Sequence, residues 1–369
     1  MAMTNNNNVA ETGFRMPGEF EPHDGCWMLW PERNDVWRLN AAPAQKAFAA
    51  VACAIAKSEE VTVAVSDQQY NNARDLLPEH IKVVEMSSND AWMRDIGPSF
   101  LINDSGDLAA VDWDFNAWGG EQGGLYPDWS KDSRVAQKVC EISDATRFDA
   151  PLVLEGGSIH VDGQGTLITT KECLLNPNRN PDLSKEQIEQ LLKNYLNVER
   201  IIWLDQGTIE DETDGHIDNL CCFIKPGVVA LHYCDDPNDP QHVISEDAYR
   251  ILTNSTDAQG RTLKVVKLPH PGPLYISKEE AKGIDDNNDS QPREEGQRLA
   301  GSYANFYIAN KHIVFPKLDP KKDEKAATIL AEQFPDREII GIPAREILLG
   351  GGNIHCITQQ QPKVINTEK

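Results

Sequence analysis

The chain has 369 residues, 40% hydrophobic and 25% charged, with a net charge of −23. That balance suits a soluble globular protein with a large core. The negative charge argues against a nucleic-acid or anionic-membrane surface and suits either attraction of a cationic ligand or simply a well-solvated surface. No charged start followed by an apolar run opens the sequence and no stretch is long enough to span a bilayer, so no membrane partner and a cytoplasmic location are expected. Eight cysteines without a CxxC pair suggest neither a disulfide framework nor a zinc site. Cys26, Cys53, Cys140, Cys173, Cys221, Cys222 and Cys234 read as small core residues.

Residues 1–12, polar and Asn-rich, are expected to form a flexible tail. Cys26 to Trp30 reads as a strand, Pro43 to Lys57 as a helix and Val61 to Val65 as a further strand. A hairpin follows at Ser99 to Ile102, turned at Asn103 to Gly106, then a helix over Ser133 to Ile142. The next hairpin starts with Ser158 to Val161, turned at Asp162 to Gly165. Ser184 and Gln187 make a capping-box start to a helix ending at Leu196, with Ile188, Leu191, Leu192 and Leu196 along one face. Ile201 to Leu204 is a strand; Leu220 to Ile224, turned at Lys225 to Gly227, begins a third hairpin. A helix at Glu246 to Leu252 and a strand at Leu263 to Leu268 come next. Gly283 to Glu295 is polar enough to be a surface excursion or lid. Asn305 to Ile308 turns near Ala309 to Lys311 into His312 to Phe315, followed by a helix at Glu324 to Phe334 and a strand at Glu338 to Ile342. The four strands that follow helices read as inner strands. This strand-strand-helix-strand unit recurs with a period of roughly 60 to 70 residues, and five copies fill the chain. The last copy lacks a hairpin partner, which Cys26 to Trp30 would supply by closing a ring and removing free sheet edges. No linker divides the chain, so residues 13–362 are expected to be one α/β domain, with a second tail at 363–369.

Near the C-terminus, Leu349-Gly350-Gly351-Gly352-Asn353-Ile354-His355-Cys356 reads as a glycine loop delivering one cysteine. Cys356 is either one more buried thiol or a nucleophile. An echo decides between them: Leu154-Glu155-Gly156-Gly157-Ser158-Ile159-His160-Val161 repeats the Leu, Gly, Gly, Ile and His of this loop, with Glu155 in place of Gly350 and Val161 in place of Cys356. Asp90 to Asp95 and Asp214 to Asp218 stand at matching phases of the repeat. Singly, Asp95, Glu155, His216 and Asp218 could be turn or capping residues. At one phase of a ring, with Cys356, they converge. Three carboxylates around a thiol disfavour an anionic substrate and a resting thiolate, so Cys356 is expected to be a neutral thiol in the free protein. A guanidinium is flat, charged and matched to carboxylate forks; Asp95 and Asp218 would clamp it, Cys356 attack its carbon, His216 protonate departing ammonia and then activate water, and Glu155 orient the imidazole. His216 and Asp218, alternating about Ile217 on a strand-like run, would face one site.

Phe14 to Pro17, Trp30 to Arg33, Trp92 to Asp95, Phe115 to Gly120, Leu154 to Asp162, Asp214 to Asp218 and Gly350 to Cys356 closely resemble the agmatine deiminases of the guanidine-modifying superfamily. The resemblance runs from about Gly13 to Pro362. It implies a five-bladed, pseudo-symmetric α/β-propeller that converts agmatine and water to N-carbamoylputrescine and ammonia in polyamine synthesis. It also implies no metal or organic cofactor and a cytosolic homodimer or higher homo-oligomer. The same five positions take the family's roles: Cys356 the nucleophile, His216 the acid/base, Asp95 and Asp218 the guanidinium ligands, and Glu155 the partner of His216. At the far end of the substrate a primary amine prefers acidic and aromatic company, so Glu212, in the run Glu210-Asp211-Glu212, and Trp92 are expected there, with Trp118 and Gly352 as further contacts. Rival readings are a deiminase of free or peptidyl arginine, an amidinotransferase, a non-catalytic propeller that binds other molecules, and a papain-like protease, whose Cys would precede its His.

Overall fold

A computed structural model describes residues 9–285 and 290–364. Four of its sheets share one plan: an antiparallel hairpin, a helix, and a third strand parallel to the hairpin's second strand. In the first, Ser99–Ile102 pairs with Leu108–Asp114, the helix Val135–Ser143 crosses over, and Thr146–Val153 adds on. Ile159–Val161, Thr166–Thr170, the helix Lys185–Leu196 and Arg200–Leu204 repeat it. So do Cys221–Lys225, Val228–Tyr233, Gln241–Thr253 and Lys264–Pro269, and then Tyr307–Ile308, His312–Lys317, Asp323–Gln333 and Glu338–Pro343. The remaining large sheet joins the two ends of the chain. Thr358–Pro362 pairs antiparallel with His23–Leu29, from which the helix Ala42–Ile55 leads to Glu60–Val65 and then Lys82–Glu85. The strand expected to come from Cys26 to Trp30 is therefore the partner of the last one. Alanines at 44, 47, 49, 52 and 54 let the first helix lie close to its neighbours, while Phe48, Val51 and Ile55 fill the core beneath.

Several expectations need correction. Arg200–Leu204, Lys264–Pro269 and Glu338–Pro343 lie at the edges of their sheets; only Glu60–Val65 is flanked on both sides. Their apolar residues pack on both faces of the strand, alternating between two neighbouring core clusters, so composition reported burial of both faces and not position in the sheet. The helix read from Glu246 starts at Gln241, because the Asp239 carboxylate accepts the Gln241 N–H at 2.9 Å after the Asp-Pro step. Val9–Thr12, placed in a flexible tail, is a 3-10 turn with Val9 buried against the helix Lys185–Leu196; residues 1–8 lie outside the described residues. Lys363 N–H bonds the Pro22 carbonyl at 2.8 Å, and 365–369 fall outside the description. Of the polar segment Gly283 to Glu295, residues 286–289 also fall outside, while Gln291 N–H reaches the Leu125 carbonyl at 2.9 Å and the side chain of half-buried Arg293 is only 5% exposed.

Candidate active site

Asp95, Glu155, His216 and Cys356 occupy equivalent places, in short turns entering the first strand of a unit. Asp95 lies in the single turn Met93–Ile96 before Ser99; Glu155 immediately precedes the 3-10 turn Gly156–Ser158. His216 precedes the turn Ile217–Asn219, and Cys356 lies just before the strand Thr358–Pro362. Only His216 is extended, and Ile217 and Asp218 already belong to the turn and not to the expected strand, yet the side chains of His216 and Asp218 still reach one point. That point is Gly157: a Cβ there would stand 2.6 Å from His216 Nδ1, 2.7 Å from Asp95 Oδ1 and 3.1 Å from Asp218 Oδ2. Glycine is required because three functional groups crowd its α-carbon.

The Cys356 thiol donates to Asp218 Oδ2 at 3.4 Å, and Asn305 Nδ2 donates to the sulfur at 3.2 Å. Asp95 accepts from Gly157 N–H at 2.9 Å and from Trp118 Nε1 at 3.0 Å. His216 Nε2 lies 3.4 Å from Glu155 Oε2 and its Nδ1 lies 3.8 Å from Asp95 Oδ1. Among the described residues, neither His216 nitrogen nor Asp218 Oδ1 has a hydrogen-bond partner. Glu155 is gripped on its other oxygen by Arg179 Nε at 2.7 Å, both side chains fully buried.

Burial dominates the electrostatics, and neighbours decide its outcome. Burial, with Asp218 and Asp95, pushes the Cys356 thiol well above its ordinary range, the direction that the charge count led one to expect. Burial raises Asp95 to about 6, because Asp218 and Glu155 add repulsion to what the cationic His216 only partly relieves. Burial opposes ionised Glu155 too, yet Arg179 and His216 hold it down at about 2. Burial would also keep His216 neutral, but Asp95, Cys173 and Glu155 carry its pKa well above the ordinary value. Asp218 is lowered despite burial, chiefly through His355.

The residues expected around the rest of a substrate come to the same place. Trp92 lies against Gly352, where a Cβ would meet the indole at 2.6 Å and the Cys356 sulfur at 3.1 Å. Trp92 Nε1 is held by Asp90 at 2.9 Å, and Trp118 holds Asp95. Glu212 faces Gly351, but it is ion-paired with Arg293, whose other nitrogen bonds the Gly350 carbonyl at 2.6 Å. A small cavity lined by Trp92, Asp90, Tyr126, Arg293 and Gly350 opens beside them. Sequence reasoning missed Arg179, Asn305, His355 and Gly157 as parts of this cluster, and it left Cys173, 3.9 Å from Glu155 Oε2, as mere core. Only the glycine and His355 had a signal, in the repeated motif.

Among the described residues three groups have ligand atoms close enough for a metal ion: Glu19, His160 and His355; Glu155, Cys173 and His216; and Cys234, Asp239 and His270. Each already has an arginine charge beside it, from Arg94, Arg179 and Arg298 respectively.

A fold of repeated sheets with a buried thiol, an imidazole and acids at one phase of the repeat defines the guanidine-modifying class of enzymes. The chain belongs to the Porphyromonas-type peptidyl-arginine deiminase family, whose model matches residues 15–362. It is 58% identical over 352 residues to an agmatine deiminase of Pseudomonas aeruginosa, covering 95% of this chain and 96% of that one. It superposes on an agmatine deiminase of Enterococcus faecalis with a TM-score of 0.95 at 48% identity, covering 99% and 100% of the two chains. An agmatine deiminase of C. jejuni matches with a TM-score of 0.80 at 26% identity, over 95% and 97%.

Proposed function

We propose that this protein binds agmatine through its guanidinium and hydrolyses it to N-carbamoylputrescine and ammonia, with Cys356 as nucleophile. The activity is agmatine deimination, hydrolysis of a C–N bond in a linear amidine, as the similarity to agmatine deiminases supports. The observation that carries the residue roles is the approach of His216, Asp95 and Asp218 to the one α-carbon of Gly157, with the Cys356 thiol on Asp218.

Asp95 and the free Oδ1 of Asp218 take the guanidinium N–H groups, and the arriving cation stabilises the Cys356 thiolate, whose proton is released to water and is taken up by the departing ammonia as ammonium. Sulfur adds to the guanidinium carbon. Protonated His216 gives its proton to the departing nitrogen, which leaves as ammonia, and a positively charged amidino-thioether remains on Cys356. The now neutral His216 takes a proton from water as hydroxide adds to the same carbon; sulfur then leaves, and the product is a substituted urea. Glu155, fixed by Arg179, keeps the imidazole cationic between turnovers. Trp92, Trp118 and Gly352 wall the substrate, and Glu212 receives the distal amine. The five units form a closed, five-bladed α/β-propeller, one catalytic domain over residues 13–362, working without a cofactor as a cytoplasmic homo-oligomer, a dimer or larger, that feeds putrescine synthesis. Support for the ring comes from the pairing of the first and last strands. Among the described residues no helix is long and apolar enough to cross a membrane.

A second reading, deimination of arginine or an arginyl peptide, has one observation in its favour. Arg293 beside Glu212 is a cation that suits a substrate carboxylate. Ammonia release from agmatine, arginine and an arginyl peptide, measured side by side, separates the two. Mass spectrometry of protein quenched during agmatine turnover should find the amidino adduct on Cys356; turnover without it, under conditions that trap the intermediate, would refute the covalent route.

A further inference from the structure

The repeated Gly-Gly-x-Ile-His motif leaves two histidines that this chemistry does not use, and the fold brings them face to face. The rings of His160 and His355 are stacked 5.9 Å apart at an interplanar angle of 28°. Glu19 Oε2 lies near both Nε2 atoms, 3.7 Å from His160 and 2.9 Å from His355. The other nitrogen of His355, Nδ1, lies 2.8 Å from Asp218 Oδ2. Phe223 N–H donates to His160 Nδ1 at 3.3 Å, so a neutral His160 carries its proton on Nε2, toward Glu19. Every one of these side chains is buried.

We propose that His355, Glu19 and His160 are positioning residues: a buried relay, built from the two echoing histidines, that holds Asp218 ionised and turned so that its Oδ1 is free for the guanidinium. The inference rests on the reading of Asp218 as a guanidinium ligand. Asp218 spends Oδ2 on His355 and the Cys356 thiol, and its unpartnered Oδ1 is what remains for the substrate. His355 stands between two carboxylates and can donate to both only as an imidazolium. Burial and Arg94 oppose that charge; Glu19 and Asp218 outweigh them and raise its pKa. His216 lies beyond Asp218, and Arg94 flanks the relay, bonding the His355 carbonyl at 3.3 Å and Gln360 Oε1 at 2.7 Å. A metal ion shared by Glu19, His160 and His355 would hold its ligand atoms about 3.3 Å apart, the edge of a tetrahedron with bonds of about 2.0 Å. The 2.9 Å between Glu19 and His355 is a hydrogen bond, so a proton lies there.

The test is steady-state kinetics with agmatine for His355→Asn and Glu19→Gln across about two pH units either side of neutrality, with thermal unfolding of each variant. Losing a charge-assisted bond to a buried carboxylate should raise KM about tenfold or more, change kcat less, and move the acidic limb of kcat/KM to higher pH. A folded variant with wild-type KM and an unmoved acidic limb would overturn the relay, as would a fall in kcat alone. If His355→Asn does not fold, Glu19→Gln, close in shape, decides. Spectra of 15N-histidine protein give a readout independent of turnover: His355 protonated on both nitrogens near neutral pH supports the relay, and a neutral ring refutes it. Wild-type protein that releases no ammonia from agmatine would sink the functional reading instead, leaving the relay to be judged on those spectra.

Discussion

Replacing Gly157 with alanine should sharply slow catalysis while the protein still folds. Gly157 is not among the residues with positive φ, so alanine can adopt its backbone. The new methyl would lie 2.6 Å from His216 Nδ1 and 2.7 Å from Asp95 Oδ1. Ordinary contact requires each group to retreat by about 0.7 Å, and a displacement near 1 Å of a group that aims the reacting atoms costs about a hundredfold in rate. Overpacking at one buried site costs about 1–3 kcal/mol of stability. The expected outcome is therefore a fall of about a hundredfold in kcat/KM for agmatine, measured by ammonia release, with a cooperative melt retained. Gly123→Ala serves as the control, because its Cβ meets only Asn178 Nδ2 at 3.7 Å. If folded Gly157→Ala protein kept more than about a third of the wild-type kcat/KM, the crowding at Gly157 would not describe the working site.

Two further outcomes follow from the charges. Asp95 has a folded pKa of about 6, above its ordinary 3.8. Its contribution to stability is thus fully present below about pH 4 and is lost as pH rises through about 6. Wild type should lose about 3 kcal/mol relative to Asp95→Asn over that interval, read from urea unfolding at both ends; a constant difference would contradict it. The same ionisation should give kcat/KM an acidic limb near pH 6 as the Asp95, Glu155 and His216 cluster titrates, and a flat profile through that range would count against Asp95 as a ligand. Arg179→Gln should cost about 3–5 kcal/mol, because it strands Glu155 in a fully buried position. An unchanged melting temperature would show that something else neutralises Glu155.

The five polar residues at the centre could be read from the chain because a duplicated scaffold sets them at the same phase. Asp95, Glu155, His216 and Cys356 each sit in the turn that enters a first strand, and spacing alone reveals that. Arg179 and Asn305 could not be read. Arg179 comes from the turn following Asn176, with no periodic signal, and Asn305 stands two residues before the first strand of its unit, as Cys356 does, but its distance along the chain from His216 and from Cys356 departs from the repeat and hides that phase. Glu19 lies in an N-terminal loop whose partners are 336 and 289 positions away, a relation set by closure of the chain and not by local pattern. His160 and His355 were visible as an echo, but spacing does not say that two echoing side chains meet. The alternation of His216, Ile217 and Asp218 suggested a strand because a three-residue turn is too short to show its own period.

The pairing of Thr358–Pro362 with His23–Leu29 has a consequence for biogenesis. The first strand leaves the ribosome with one edge bare and waits for the rest of the polypeptide before its neighbour is synthesised. The segment that carries Cys356, the proposed nucleophile, emerges just ahead of that neighbour, so a prematurely terminated product would lack both that thiol and the strand that pairs with the first. Completeness of translation is thereby built into competence.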